Sequence, residues 1–339
     1  MSHVRYCVRM TMMKDMIAEA LLEGAGETEL RDRLIADGAS PAKADYELKR
    51  LEKDPYAHAL IKASRRLAKR DWTLRLYGKL AAQRTGDLSI AQENSIDPAH
   101  FLDAYYLANR PVKLTGLVDH WDALATWDLD YFDQQVGDRM VEVQEKRESA
   151  ADYEIAKDRH RRIVPMREIT ERLRALGDAP SNDFYVTAYN DSTNKQTLTP
   201  LWKDLGPVSI LSAGGGNEGF FWMGPKGTLT PFHHDLTNNL LVQVKGRKRV
   251  RMVPSWEVGR MKNFIHCFSG RDPSDWSTAA DDPSLPPMLE TVIGPGEAIF
   301  LPIGWWHHVE ALDASMSMSF TNFAADNDFL AGYPADTRF

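Results

Sequence analysis

The second half of the chain is a series of short strand-like runs separated by turn residues. From residue 184 onward, apolar runs such as 240–244 alternate with Gly, Pro and Asn positions, for example at 294–296. Runs of about four to eight residues bounded by such turns predict antiparallel strands that form a sandwich or a barrel. We therefore expect this part of the chain to be mainly β.

The first third of the sequence is predicted to be helical. Residues 14–24 carry apolar side chains at helical spacing and end in a glycine. Further segments show helical character, at residues 27–37, 42–53 and 56–83. The sequence pattern changes after the segment TGDLS at 85–89. We expect a helical N-terminal region at 1–85 and a β-rich domain with flanking helices at 86–339.

Charge is unevenly distributed along the chain. The whole chain carries a net charge of −7, yet residues 31–84 hold 14 basic against 7 acidic side chains, and the part from residue 85 onward carries −12. Because contacts to phosphate groups need clustered cations, the acidic main part argues against nucleic acid as the main partner. The basic segment is expected to be a solvated helix face or a surface that meets an acidic partner.

Cysteine content and hydropathy indicate the cellular compartment of such a chain. Cys7 and Cys267 are its two cysteines, too few for a disulfide framework. No run approaches the roughly 18 consecutive apolar residues that a membrane span needs. Arg5 and Arg9 interrupt the first residues, where a secretory signal would be apolar. We expect a cytoplasmic protein without a membrane partner.

Metal-binding side chains stand in two of the strand-like runs. In the run 230–235, His233 and Asp235 are two residues apart and would project from the same face of a strand. The run 303–309 contains His307 and His308 as candidates for a third ligand. Two histidines and one carboxylate on one face, with other coordination positions open, suit a non-haem Fe(II) centre.

Separated segments of the chain, taken together, resemble the JmjC and cupin-like 2-oxoglutarate oxygenases. Residues 221–250 are similar to the core of that family, and residues 296–323 to the closing half of its barrel. Residues 101–144 resemble the entry segment of its protein-hydroxylase branch, which includes factor inhibiting hypoxia-inducible factor. The resemblance covers about residues 100–325 in order and leaves residues 1–85 outside.

This resemblance implies both a fold and a set of metal ligands. The fold is a double-stranded β-helix, the cupin or jelly-roll barrel of JmjC type, mainly β with flanking helices and preceded by a helical N-terminal region. The positions that match the family's iron ligands are His233, Asp235 and His307. Strand alternation favours residue 307, because His308 faces the other way. We expect His234 and His308 to lie outside the ligand set.

The resemblance also implies a binding site for 2-oxoglutarate. This dianion needs a buried cation and hydroxyl donors for its far carboxylate. A hairpin predicted at 245–247 places Lys248 on an apolar face, where a lone cation is costly without an anionic partner. Lys248 occupies the position of the family's carboxylate-binding lysine, whereas Arg249 and Arg251 are expected on the opposite face.

Four more positions match polar groups around the co-substrate in the family. Thr230 matches a hydroxyl donor to the far carboxylate, and Tyr185 resembles the tyrosine that accompanies it. Asn239 and Asn322 match polar groups near the end of 2-oxoglutarate that chelates the metal. For the two asparagines, a purely structural role in a turn or in a strand ladder stays open.

The resemblance implies an oxidoreductase, a dioxygenase that uses Fe(II), 2-oxoglutarate and O₂ to hydroxylate a C–H bond, with succinate and CO₂ as co-products. Three classes of function stay open. The first is a hydroxylase of a protein or peptide side chain, with demethylation of N-methyl-lysine as a variant. The second is an oxygenase of a small molecule, such as an amino acid or a natural-product intermediate. The third is a binding-only cupin without turnover. Any homodimer is expected to form through the N-terminal helices.

Overall fold

A computed structural model describes residues 2–86, 88–187, 191–213, 218–278, 282 and 284–334. The chain divides into two compact units, Met1–Ala81 and Ala82–Phe339. The boundary between these units lies four residues before the predicted one. Within the described ranges, every helix is too short or too polar to cross a membrane.

The first unit is helical, as its apolar spacing predicts. Its helices are α1 (Ser2–Glu23), α2 (Glu27–Ala36), α3 (Pro41–Leu51) and α4 (Pro55–Thr85). α3 begins with two favourable signals, because the Ser40 side chain accepts a hydrogen bond from the backbone N–H of Lys43 and Pro41 occupies the first turn. Leu30, Leu34 and Ala44 are fully buried in the core between the helices.

The second unit contains short helices and many strands. The helices are α5 (Pro98–Phe101), α6 (Ala123–Thr126), α7 (Leu129–Val136), α8 (Met166–Leu176), α9 (Asp191–Thr197) and α10 (Ser274–Thr278). The strands are β1 (Ala91–Asn94), β2 (Val112–Thr115), β3 (Met140–Glu145), β4 (Arg161–Pro165), β5 (Phe184–Tyr185), β6 (Phe220–Gly224), β7 (Leu229–His234), β8 (Asn239–Lys245), β9 (Lys248–Val253), β10 (Asn263–Ile265), β11 (Phe268–Ser269), β12 (Leu289–Ile293), β13 (Ala298–Leu301), β14 (Trp306–Ala311) and β15 (Ser315–Phe320).

Most of these strands form two facing six-stranded sheets. The first sheet has the order β1-β2-β13-β8-β15-β6 and the second the order β10-β11-β7-β14-β9-β12. From β6 to β9, and again from β12 to β15, each strand lies in the opposite sheet from the one before it. The pairings within the two sheets are antiparallel except β1 with β2. This alternation confirms the predicted double-stranded β-helix, or jelly roll.

The turn at 245–247 is not the predicted hairpin. β8 pairs with β13 and β15, whereas β9 pairs with β12 and β14, so the chain crosses here from one sheet to the other. Gly246 makes the crossing with φ +69°, and a Cβ atom there would lie 2.3 Å from the carbonyl oxygen of Ala314. The alternation within β9 does not depend on this turn, so Lys248 still faces the interior.

The outer face of the first sheet packs against the helices of the second unit. Met316, Met318 and Phe320 of β15 join one large apolar core, to which Phe101 and Trp121 also belong. Phe101 is the last residue of α5, and a π-helical turn (Leu102–Tyr106) follows it. A separate three-stranded sheet, β4-β3-β5, carries Tyr185 to the barrel.

Candidate metal centre

His233, Asp235 and His307 converge inside the barrel, with one ligand atom of each within 4.8 Å of the others. His233 and His307 are directly opposite each other in the paired strands β7 and β14. Asp235 follows just after β7 and points the same way as His233. Its carboxylate oxygens lie 3.6 Å from His233 Nε2 and 3.8 Å from His307 Nε2.

Backbone hydrogen bonds orient both imidazole rings. His233 Nδ1 lies 2.9 Å from the carbonyl oxygen of Pro231, and His307 Nδ1 lies 3.0 Å from that of Trp305. Because a carbonyl oxygen only accepts, each Nδ1 carries the proton and donates it. The Nε2 atoms therefore turn their lone pairs toward the carboxylate, as ligands to a metal require.

The protonation states also suit a cation. Burial lowers the pKa of His307 to about 4, so its imidazole is neutral at pH 7. Burial on its own would raise the pKa of Asp235, but the adjacent His307 and His233 and a hydrogen bond from Asn239 hold it below its usual value. Neutral imidazoles and an ionised carboxylate are the forms that bind a metal.

The two neighbouring histidines point elsewhere. His234 Nε2 lies 3.1 Å from the hydroxyl of Tyr333. His308 is buried, and its ring centroid is 5.5 Å from that of Phe232. Neither side chain joins the group of His233, Asp235 and His307. This agrees with strand alternation, which places neighbouring residues on opposite faces.

Lys248 and Tyr185 form the other end of the same cavity. The side chain of Lys248 is buried, and its Nζ donates to the hydroxyl oxygen of Tyr185 at 3.1 Å. No ion pair involves this ammonium group within the part of the chain that the structure describes, and burial lowers its pKa to about 7. An unpaired buried cation of this kind fits an anionic ligand.

Thr230 and Asn239 also line this cavity. Asn239 Nδ2 donates to Asp235 Oδ2 at 3.0 Å, so it lies at the metal end. Its Oδ1 is buried and has no hydrogen-bond partner among the described residues. The cavity thus joins seven of the eight site residues predicted from the sequence. They are His233, Asp235, His307, Lys248, Thr230, Asn239 and Tyr185.

Asn322 is not brought to this cavity. It follows the end of β15 on the same side as Met318 and Phe320, which face away from the barrel interior. It lines a different cavity, and its Nδ2 donates to the carbonyl oxygen of Ser212 at 3.3 Å. The alternate face of β15 points inward instead, and Ser319 from that face lines the metal cavity.

Besides apolar side chains, the cavity is lined by two residues that have no counterpart among the predicted ones, Trp222 and Ser319. Trp222 Nε1 donates to the Ser319 hydroxyl at 2.8 Å, and its ring centroid is 5.7 Å from that of Tyr185. The alternation of serine with methionine in β15 was the available signal for Ser319. Nearby, Gly224 allows the Tyr185 ring to approach, because a Cβ atom there would lie 2.7 Å from the ring.

Fold and site together define a jelly-roll barrel in which two histidines and one aspartate converge and could hold a metal ion. A family model described as a cupin-like domain matches residues 98–328, so the chain belongs to the cupin-like domain family. Its relatives include JmjC proteins. The chain is 31% identical to "Lysine-specific demethylase JMJ30" of Arabidopsis thaliana, over 65% of this chain and 51% of that protein.

Two further relatives support the same family. The identity is 27% to "Lysine-specific demethylase 8" of Xenopus tropicalis, over 65% of this chain and 50% of that protein. It is 26% to "Jumonji C domain-containing protein 5" of Drosophila melanogaster, over 70% and 60%. The chain spans about half the length of the curated relatives it matches. These relatives do not single out the protein-hydroxylase branch that residues 101–144 resemble.

Proposed function

We propose that this chain is an Fe(II)- and 2-oxoglutarate-dependent oxygenase that hydroxylates a C–H bond of a protein or peptide side chain. The observation that supports this proposal is one cavity that holds a ligand set of two histidines and one aspartate at one end and an unpaired buried lysine at the other. The first suits Fe(II), and the second suits a dicarboxylate. A cupin that merely binds a ligand would not need both.

In this proposal His233, Asp235 and His307 hold the metal. When bound there, Fe(II) with 2-oxoglutarate and O₂ supplies the oxidising chemistry for C–H hydroxylation, with succinate and CO₂ as co-products. The protein's contribution is orientation. The backbone carbonyls that accept from the two Nδ1 atoms keep both rings turned inward, and the Asn239 amide fixes one oxygen of the carboxylate.

The far carboxylate of 2-oxoglutarate is assigned to Lys248, with the hydroxyls of Tyr185 and Thr230 beside it. The apolar side chains of Leu241, Leu301 and Val309 line the same cavity and limit its hydration. In such surroundings an ion pair is less screened than it is in water. The anion thereby fixes the depth at which the 2-oxo acid end reaches the metal ligands.

Demethylation of N-methyl-lysine is a second candidate, because two of the three relatives described above carry the name lysine-specific demethylase. It shares the first step with hydroxylation. Insertion of one oxygen atom into a methyl C–H bond gives an N-hydroxymethyl group, which then leaves as formaldehyde and returns the amine.

A small-molecule oxygenase is the alternative if no protein is modified. A cytoplasmic location and a homodimer through the N-terminal helices belong to the same proposal.

Two measurements test the function in sequence. Release of succinate that requires both Fe(II) and 2-oxoglutarate is expected, and its absence would remove the enzyme proposal. Incubation with lysate proteins and with methylated lysine peptides, followed by mass spectrometry, then separates the products. Gain of one oxygen atom supports hydroxylation, loss of a methylene supports demethylation, and no protein product favours a small-molecule substrate.

A further inference from the structure

Another buried cation lies beside the lysine end of the cavity, and the proposed function does not use it. Arg147 is 0% exposed and begins a 3₁₀ turn (Arg147–Ser149) that follows β3. Its guanidinium carbon lies 4.4 Å from the ring centroid of Tyr153 and 5.0 Å from that of Tyr185. Because a buried charge is costly unless it is paired, the position of this side chain needs a reason.

Arg147 is connected to both hydroxyl residues assigned to the far carboxylate, to Thr230 through a backbone hydrogen bond at the preceding residue and to Tyr185 through ring packing. Its Nη2 donates to Glu154 Oε1 at 2.6 Å and to the carbonyl oxygen of Leu229 at 2.7 Å. Leu229 immediately precedes Thr230 in β7. The guanidinium therefore holds the backbone next to one hydroxyl residue and packs against the ring of the other, Tyr185.

Stability alone does not account for this arrangement. Glu154 is also buried, so the ion pair is removed from water. Arg147 Nε and Nη1 lack hydrogen-bond partners in the described ranges, and so do both amide atoms of Gln144, which lies opposite Tyr185 in the ladder of β3 and β5. Replacing a buried ion pair by apolar side chains of similar volume is often neutral or stabilising.

We infer that Arg147, paired with Glu154, is a positioning residue for the far carboxylate of 2-oxoglutarate. The inference rests on the proposed function, because it concerns the same pocket. Arg147 is not among the residues that line the cavity, so it acts through the Tyr185 ring and through the backbone at Thr230. It keeps both hydroxyls in place relative to Lys248.

Binding of two ligands to the full-length protein, loaded with Mn(II) under argon, tests the inference. 2-Oxoglutarate has both carboxylates, whereas 2-oxopentanoate keeps the chelating 2-oxo acid end and lacks the far carboxylate. In the double variant Arg147→Met with Glu154→Leu, both partners of the buried ion pair are removed, so neither is left without the other. Its affinity for 2-oxoglutarate should fall about tenfold or more, by analogy with the effect of removing residues that orient metal ligands. Its affinity for 2-oxopentanoate and for Mn(II) should not change.

A matched control and a conservative variant complete the design. Arg161→Met removes a half-exposed arginine of the neighbouring strand β4. This arginine pairs with Glu142 and Asp158, and its loss should leave both affinities unchanged. Arg147→Lys keeps the charge and should recover part of the lost 2-oxoglutarate affinity. If the double variant has no thermal unfolding transition, Arg147→Lys carries the test on its own, and a selective weakening of 2-oxoglutarate binding relative to the parent supports the inference.

Three outcomes would overturn the inference. One is an unchanged affinity for 2-oxoglutarate in the variants. Another is an equal loss for both ligands, which would show a general structural role for Arg147. The third is a parent protein that binds 2-oxopentanoate but shows no preference for 2-oxoglutarate. In that case the proposed function and the inference both fail. This result is distinguishable from the other two, because it is measured on the parent protein before any substitution is made.

Discussion

The ammonium nitrogen of Lys248 lies 3.1 Å from the hydroxyl oxygen of Tyr185, and both side chains are buried. Burial lowers the pKa of Lys248 to about 7 and raises the pKa of Tyr185 well above its usual value. The phenol therefore stays neutral and accepts a hydrogen bond from the lysine without supplying a countercharge. An anionic ligand would supply the charge that is missing.

Replacing Lys248 by methionine should remove most of the affinity for 2-oxoglutarate. The substitution keeps much of the volume and leaves the far carboxylate buried without a cation. Losing one partner of a buried charged pair costs roughly 3–5 kcal/mol, and with ~1.4 kcal/mol per tenfold the affinity should fall about a hundredfold or more. Anaerobic titration of the Fe(II)-loaded protein with 2-oxoglutarate measures the change.

Arg249→Met and Arg251→Met are the matched controls for that titration. Both arginines lie on the outer face of β9 and pair with Glu290 and Glu310, so their loss should change the affinity little. A Lys248→Met protein that binds like the parent, beside an Arg249→Met protein that does not, would contradict the assignment of the carboxylate site.

The same Lys248→Met variant should be more stable than the parent when no ligand is present. The parent has a buried amine that is partly charged at pH 7, and apolar replacements of buried charged groups are often stabilising by about 1–4 kcal/mol. Urea unfolding at pH 6, where the lysine is mostly protonated, compares the free energies of unfolding. A less stable variant would show that Lys248 has a favourable partner in the ligand-free protein.

The stability of the ligand-free parent should rise with pH between about 7 and 10.5. The pKa of Lys248 is lowered from 10.5 to about 7 by burial, so between these values the unfolded chain binds a proton that the native protein does not. The free energy of unfolding then rises by up to ~1.4 kcal/mol per pH unit. Below pH 7 both states are protonated, and this contribution is constant.

Comparison with Lys248→Met isolates the effect of the lysine, because the other titrating groups are shared. The difference in free energy of unfolding between the two proteins should shrink as the pH rises from 7 to 10. A difference that is constant across this range would show that the native pKa of Lys248 is not lowered.

The barrel and the convergence of His233, Asp235 and His307 could be predicted because the sequence signals for them are local. Alternation within a strand fixes which side chains share a face, and this places His307 inward and His308 outward without any knowledge of the partner strand. The hairpin predicted at 245–247 was wrong because a local signal is not enough there. Turn residues show that the chain reverses, but they do not show whether the next strand joins the same sheet or the opposite one.

Other parts of the site depend on contacts between distant segments. Asn322 lies on the same side of β15 as Met318 and Phe320, and only the packing of the helices shows that this side faces away from the barrel interior. Arg147 meets Tyr185 only because β3 and β5 pair across about forty residues of chain. No pattern within either segment indicates that contact, and a charged run such as 145–162 is normally read as a solvent-exposed loop.

A chain that begins at residue 82 should keep the basal reaction. The second unit has its own apolar cores and contains every residue of the proposed site. We expect unchanged succinate formation without a macromolecular substrate, and reduced modification of a protein substrate if the basic segment 31–84 recruits an acidic partner. Coupled and uncoupled succinate assays separate the two effects. An insoluble or inactive truncated chain would show that the N-terminal helices are structural, and the recruitment idea would lose its support.

Alanine substitutions at His233, Asp235 and His307 should each abolish iron-dependent turnover of 2-oxoglutarate. Each removes one of three ligands whose atoms converge within 4.8 Å, and the two that are left do not define a facial site. Metal content after dialysis against Fe(II) under argon, together with succinate release, checks this expectation.

His308→Ala is the matched control, because this buried ring belongs to the next residue of the same strand but faces away from the cavity. It should lower stability yet keep both the metal and measurable turnover. An inactive, metal-free His308→Ala protein beside an active His307→Ala protein would overturn the ligand assignment, since it would mean that β14 presents its other face to the metal.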